Sequence, residues 1–162
     1  MKNLITLLFI SIIFTSCSKR NVVYVVRDAP KVVNKSEILY LVNKARSQGQ
    51  KCGFFSHYDP APPLQWHTQL EQAAQNHSND MQRNNFFSHR GDNGSNVKER
   101  SNRAGFYGTM YGENIAKGYP TEKRVVEGWL KSSGHCKNLM NPKYKYMGVA
   151  TAGSYWTQVF GR

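Results

Sequence analysis

The C-terminal stretch constrains the fold most. Tyr146 to Thr151 alternates in polarity, Tyr155 to Phe160 is dense in aromatic and β-branched residues, and Gly153-Ser154 falls between them. Two such runs joined by two turn-forming residues predict a hairpin. A lone hairpin is marginal in water, so its apolar face needs a cover. The chain ahead of it supplies mainly helices. Ile38, Leu41, Val42 and Ala45 recur at helical spacing after Ser36, a suitable N-cap, and Gly49 suits the stop. Leu70, Ala73, Ala74, His77 and Met81 form a stripe within residues 67–84, where Thr68 and Glu71 have capping-box spacing. A short helix is predicted from Asn96 to Ala104, ahead of Gly105. Another follows Pro120, with Thr121 as N-cap and Val125, Val126, Trp129 and Leu130 inward, and Gly134 to Met140 adds a turn or two before Pro142. Tyr111 to Ala116 reads as a further strand, and the Gly- and Pro-rich run from Cys52 to Pro63 as a loop. Helices flanking a small sheet predict an α+β layered domain.

The N-terminus reads as a targeting segment. Lys2 precedes a mostly apolar run from Leu4 to Phe14, which is too short for the roughly 20 residues that span a bilayer. It ends in Phe14-Thr15-Ser16-Cys17, which resembles a bacterial lipobox, although Phe14 stands where Leu is usual. Cleavage before Cys17 would leave a lipidated cysteine whose acyl chains anchor the protein to the cell envelope, on its periplasmic or extracellular face. The alternative is an ordinary signal peptide with an incidental cysteine. The expected organisation is a signal peptide over 1–16, a lipidated tether over 17–35 and one domain over 36–162. Within the tether, Val22 to Val26 has strand-forming composition but is read as linker.

Export shapes the reading of charge and cysteines. The formal net charge is +12. A basic balance often signals nucleic acid, but an exported chain meets anionic lipid headgroups or acidic envelope polymers instead. No nucleic-acid partner is expected, and a monomer is. With Cys17 lipidated, Cys52 and Cys136 remain, and an even pair in an oxidising compartment points to a disulfide. Closing a loop of that length contributes about 4–5 kcal/mol by the chain-entropy relation. Two free buried thiols are the alternative.

Three motifs in order carry a family resemblance: Gly112-Glu113-Asn114-Ile115-Ala116, Gly134-His135-Cys136-Lys137-Asn138-Leu139-Met140-Asn141-Pro142, and Tyr155-Trp156-Thr157-Gln158-Val159-Phe160-Gly161. Together they resemble the CAP superfamily, whose domain is also called SCP. It includes cysteine-rich secretory proteins, antigen 5 and pathogenesis-related 1 proteins, and the likeness is to its short bacterial branch. The resemblance covers about residues 36–162. It implies a three-layer α-β-α sandwich around a small antiparallel sheet, with two histidines and two acids gathered in a central cleft.

Carried over by position, His89, Glu113 and His135 are the cleft residues this chain retains. The second acid of many eukaryotic members lies three residues after the helix tryptophan, where this chain has Ser132. Imidazole and carboxylate donors suit a divalent ion such as zinc, so the trio is also the candidate metal set. The missing negative charge predicts a weak site. Asn114 and Asn138 are expected to orient the segments that bear Glu113 and His135. Phe-Phe-Ser-His occurs twice, at 54–57 and 86–89, leaving two histidines for one role. His89, which follows the second helix, matches the family position. No Gly-x-Ser-x-Gly elbow accompanies the serines near His89 and His135, which argues against a serine hydrolase. The functional expectation is a non-enzymatic module that binds an envelope lipid or cell-wall polymer. The alternative is a zinc-dependent hydrolase using the same cleft.

Overall fold

The computed structural model describes residues 31–162. The expected signal segment, Cys17 and Val22 to Val26 lie outside the described residues. Helix α1 spans Lys35–Gln48, followed by the two-residue strands β1 (Gln50–Lys51), β2 (His57–Tyr58) and β3 (Gln65–Trp66). Helices α2 (Thr68–Arg83) and α3 (Val97–Arg103) lead to strand β4 (Tyr111–Lys117). Helices α4 (Glu122–Lys131) and α5 (Ser133–Met140) precede the hairpin of β5 (Tyr146–Ala152) and β6 (Tyr155–Gly161).

The main sheet has the order β3-β5-β6-β4. The three long strands are antiparallel, with Tyr146 opposite Gly161 and Tyr111 opposite the same Gly161 across β6. Strand β3 departs from the expected antiparallel sheet: it pairs parallel to β5, Gln65 with Tyr146 and Trp66 with Met147. A strand two residues long between prolines and a helix start has no periodicity to read. The expected loop from Cys52 to Pro63 likewise contains part of the small β1–β2 hairpin.

Side-chain alternation along the strands builds two cores. Met147, Val149, Trp156 and Phe160 face Ile38 and Val42 of α1, Val125 and Trp129 of α4, and Leu139 of α5. Ala150 and Val159 face Leu70 and Ala74 of α2, together with Phe106 and Val97. The result is the three-layer α-β-α sandwich. Helix α2 lies directly on β5: a Cβ at Gly148 would fall 2.0 Å from the Glu71 backbone nitrogen, so only glycine admits this approach.

Two capping expectations are corrected. The N-cap of α1 is Asn34, whose side chain accepts from the Glu37 N–H, and Ser36 instead donates its hydroxyl to Asn34 Oδ1. The folded part therefore reaches upstream of Ser36, and Val33 is buried in the larger core. Helix α2 is preceded by His67, which makes no side-chain cap. Thr68 is its first helical residue, and Glu71 accepts from Trp66 Nε1 and Lys35 Nζ instead of closing a box. Thr121 caps α4 as expected, and Asn96 with Glu99 forms a full capping box on α3.

Cys52 and Cys136 form a disulfide, with Cα atoms 5.4 Å apart and a sequence separation of 84. It ties the β1–β2 hairpin to α5. Nearby, the fully buried Arg46 donates to the carbonyls of Pro62 (2.7 Å), Leu139 (2.7 Å) and Asn141 (3.0 Å). Desolvation lowers its pKa to about 10, which leaves it charged at neutral pH. A cation against the last carbonyls of α5 complements the negative end of that helix. These two ties fix α5, the helix that carries His135.

Candidate functional site

Strand β4 organises the site because its two faces look into different layers. Glu113 points toward α2 and α3, and Asn114 toward α5. The Glu113 carboxylate is buried, with 3% of its side chain exposed, and both oxygens are engaged. Oε2 accepts from Arg100 Nη2 at 2.6 Å, and Oε1 accepts from His89 Nδ1 at 2.8 Å. A buried carboxylate needs such partners, and the guanidinium supplies the opposite charge. Arg100 also donates to the carbonyls of Ser95 (2.6 Å) and His89 (3.1 Å). One buried cation thus holds both the carboxylate and the loop that bears the histidine.

His89 is the open end of this chain of contacts, with 58% of its side chain exposed. A carboxylate can only accept, so the neutral ring carries its proton on Nδ1. Its Nε2 lone pair remains as an acceptor on the solvent side.

His77 completes the network from α2. It is fully buried, and its Nε2 lies 2.9 Å from the Ser88 carbonyl and 3.9 Å from Glu113 Oε1. The carbonyl fixes the proton on Nε2, which leaves Nδ1 buried without a partner. Burial pushes the His77 pKa below the ordinary 6.5, outweighing the opposite pull of Glu113, and Arg100 lowers it further. A neutral His77 therefore pins the backbone just before His89. The sequence shows His77 only as part of a helical apolar stripe, and Arg100 only as one charge among many on α3. The stripe is nonetheless the available signal: a histidine on a buried face needs a polar partner.

The Asn114 face secures α5. Asn114 Nδ2 donates to the His135 carbonyl (3.2 Å) and to Gln158 Oε1 (3.1 Å). Asn138 Nδ2 donates to the Glu113 carbonyl (3.0 Å) and to Asn114 Oδ1 (3.2 Å). The His135 ring is half-buried, and its pKa is lowered first by desolvation and second by the imidazole of His89. The two rings are thus within electrostatic reach of each other. Among the described residues no hydrogen bond or ion pair joins the His135 side chain to His89 or Glu113. Ser132 sits at the α4–α5 junction, where its backbone N–H reaches the Trp129 carbonyl and its side chain makes no capping bond. His57, the other histidine of the repeated tetrapeptide, is exposed on β2, and its side chain makes no hydrogen bond or ion pair with this cluster among the described residues.

The donor set does not suit a metal. Among the described residues no group of three or more His, Cys, Asp and Glu side chains is placed to share an ion. Glu113 already gives both oxygens to Arg100 and His89, and Arg100 would repel a cation. Two imidazoles without a free carboxylate make a poor divalent site.

Layered helices on a mainly antiparallel sheet, with a buried carboxylate and flanking histidines where β4 meets α2 and α5, define an SCP-type domain. Residues 39–160 match the CAP, or cysteine-rich secretory protein, family, and the chain belongs to it. An uncharacterized membrane protein of Bacillus subtilis, YlbC, is 39% identical over 97 residues, which are 60% of this chain and 28% of that protein. An extracellular SCP-domain protein of Bacillus anthracis superposes with a TM-score of 0.70 at 33% identity, covering 78% of this chain and 39% of the other. An outer surface protein of Borrelia burgdorferi shares the fold, with a TM-score of 0.63 at 17% identity, covering 83% of this chain and 98% of the other. This chain therefore corresponds to a minor part of the first two relatives. By their names these are a membrane protein, an extracellular protein and an outer surface protein. Among the described residues of this chain, no helix is long and apolar enough to cross a membrane.

Proposed function

We propose that this protein is an exported, lipid-anchored CAP domain. It binds a polar envelope ligand, a lipid headgroup or a hydroxyl-rich cell-wall polymer, without transforming it. In this reading residues 1–16 direct export and Cys17 carries the anchor. The ligand sits against His89 and His135, with Ser132 at the margin. The observation that supports it is the fixed line from Arg100 through Glu113 to His89, which ends in an exposed imidazole nitrogen. A side chain held this firmly loses little entropy when it accepts a hydrogen bond from a ligand. The same line argues against hydrolysis. With both oxygens of Glu113 engaged, no free carboxylate remains to activate water, and no serine or thiol lies within hydrogen-bonding distance of the His89 ring among the described residues.

The test is saturable binding of the full chain to isolated peptidoglycan and to detergent-dispersed envelope lipids. His89→Ala should weaken binding to one of these by about fivefold, the value of one hydrogen bond. Equal binding by the wild type and the variant would remove the cleft from the reading. Stoichiometric zinc heats that vanish in His135→Ala would favour the metal-dependent alternative.

A further inference from the structure

A second surface lies at the tip of the β1–β2 hairpin. Phe54 and Phe55 are 82% and 95% exposed, and their rings pack edge to face with centroids 5.1 Å apart. Single exposed apolar residues are ordinary, but two adjacent phenylalanines at a loop apex form a projecting apolar knob. The knob is held firmly. The Cys52 N–H donates to the Ser56 carbonyl at 2.8 Å and closes the loop. Gly53 turns it at φ +82, a conformation that L side chains rarely adopt, and packs close to Ser133. The disulfide then fastens the base of the loop to α5. Preserving this shape confers no core burial on either ring.

The ground around the knob is basic. Lys51 Nζ lies 5.5 Å from the centre of the Phe54 ring. Lys131 and Lys137 are exposed on either side of the Ser133–Cys136 segment that the loop touches. Neither residues 50–58 nor residues 129–140 contain an aspartate or glutamate. An apolar tip with a lysine against it and further lysines on the segment it touches complements a surface whose interior is apolar and whose face is negative.

We propose that the Cys52–Ser56 tip docks on an anionic lipid bilayer, with Phe54 and Phe55 entering the interface and Lys51, Lys131 and Lys137 on the headgroups. Docking there would hold the domain at a fixed orientation to the membrane. Long lysine side chains suit that place, because their stems can lie along the acyl boundary while the ammonium groups stay wet.

The full chain is reconstituted as Phe55→Trp in phosphatidylglycerol vesicles with brominated acyl chains. The wild type supplies the background from Trp66, Trp129 and Trp156, and Tyr107→Trp reports another exposed position, 80% accessible in the native residue. The expected result is blue-shifted emission at position 55, quenched at least twofold more than at position 107. Phosphatidylcholine vesicles should lose most of that quenching. In the same background Lys51→Glu should weaken docking by about fivefold or more, the scale of one lysine near an anionic surface. Emission at position 55 that stays water-exposed on phosphatidylglycerol, or equal quenching at both positions, overturns the proposal. So does capture of position 55 by peptidoglycan with no response to vesicles.

Discussion

The tetrapeptide Phe-Phe-Ser-His occurs at 54–57 and at 86–89 and meets two fates. In the first copy both phenylalanines are exposed, and His57 sits on a two-residue strand facing solvent. In the second, Phe86 packs on the small core of Met81, Ile115 and Tyr155, the Ser88 carbonyl accepts a hydrogen bond from His77, and His89 meets Glu113. Four identical residues carry no information about which fate is theirs. The partners do: α2 and β4 approach the second copy with a buried imidazole and a buried carboxylate, whereas the first is bounded by a disulfide and open water. Local sequence here supplies a part, and long-range packing assigns its use.

The largest break in this contrast should come from Arg100. It joins Glu113 to the loop of the second copy, and both side chains of the pair are buried. Arg100→Leu leaves a buried carboxylate without its cation, a change that costs about 3–5 kcal/mol. Chemical denaturation should show that loss, and the His89 loop should become protease-sensitive while the 54–57 loop, held by its disulfide, does not. Equal cleavage of both loops would mean that the second copy is not held by this network.

The same contrast explains what could be read in the chain beforehand. The long helices and the β5–β6 hairpin were legible because each carries its own periodicity over seven residues or more. The disulfide was legible from cysteine count and compartment. Strands β1 to β3 were not, because two-residue strands exist only through their partners. The Asn34 cap was missed because Ser36 is an equally good capping type, and the choice depends on Asn34 also donating its N–H to Glu122 across 88 residues. In the site, the family motifs named His89 and Glu113, which are in contact. Motif spacing has no term for Arg100 and His77, whose role is to neutralise and support what the motifs supply.

A smaller effect separates the two copies by pH. His77, beneath the second copy, and His135 both have pKa values held below the ordinary 6.5, chiefly by desolvation. Below 6.5 the unfolded chain therefore binds more protons than the folded one. The contribution of these groups is fully present above 6.5 and is lost as pH falls toward their folded values. Each histidine contributes a slope of at most about 1.4 kcal/mol per pH unit. Urea unfolding at pH 7.5 and 5.5 should show wild type losing more stability than His77→Gln, which keeps an N–H for the Ser88 carbonyl and cannot titrate. A variant with the same pH slope as wild type would mean that His77 takes up its proton equally in the folded and unfolded chains, so that the fold does not hold its pKa down.

The finest test compares the phenylalanines themselves. Phe54 and Phe55 are exposed, with their rings against each other and the Lys51 ammonium near Phe54, so replacing either with serine should change stability by less than about 0.5 kcal/mol. Phe86 is half-buried against Met81 and beside the His77 ring, with centroids 6.3 Å apart. Phe86→Ser should cost about 1–2 kcal/mol, less than the roughly 3–5 of a fully buried aromatic because part of the ring is already wet. Thermal unfolding of the two serine variants side by side measures the difference directly. If Phe54→Ser destabilised as much as Phe86→Ser, the hairpin tip would belong to the core. Its apolar exposure would then need no membrane to account for it, and the two copies would differ in sequence neighbours alone.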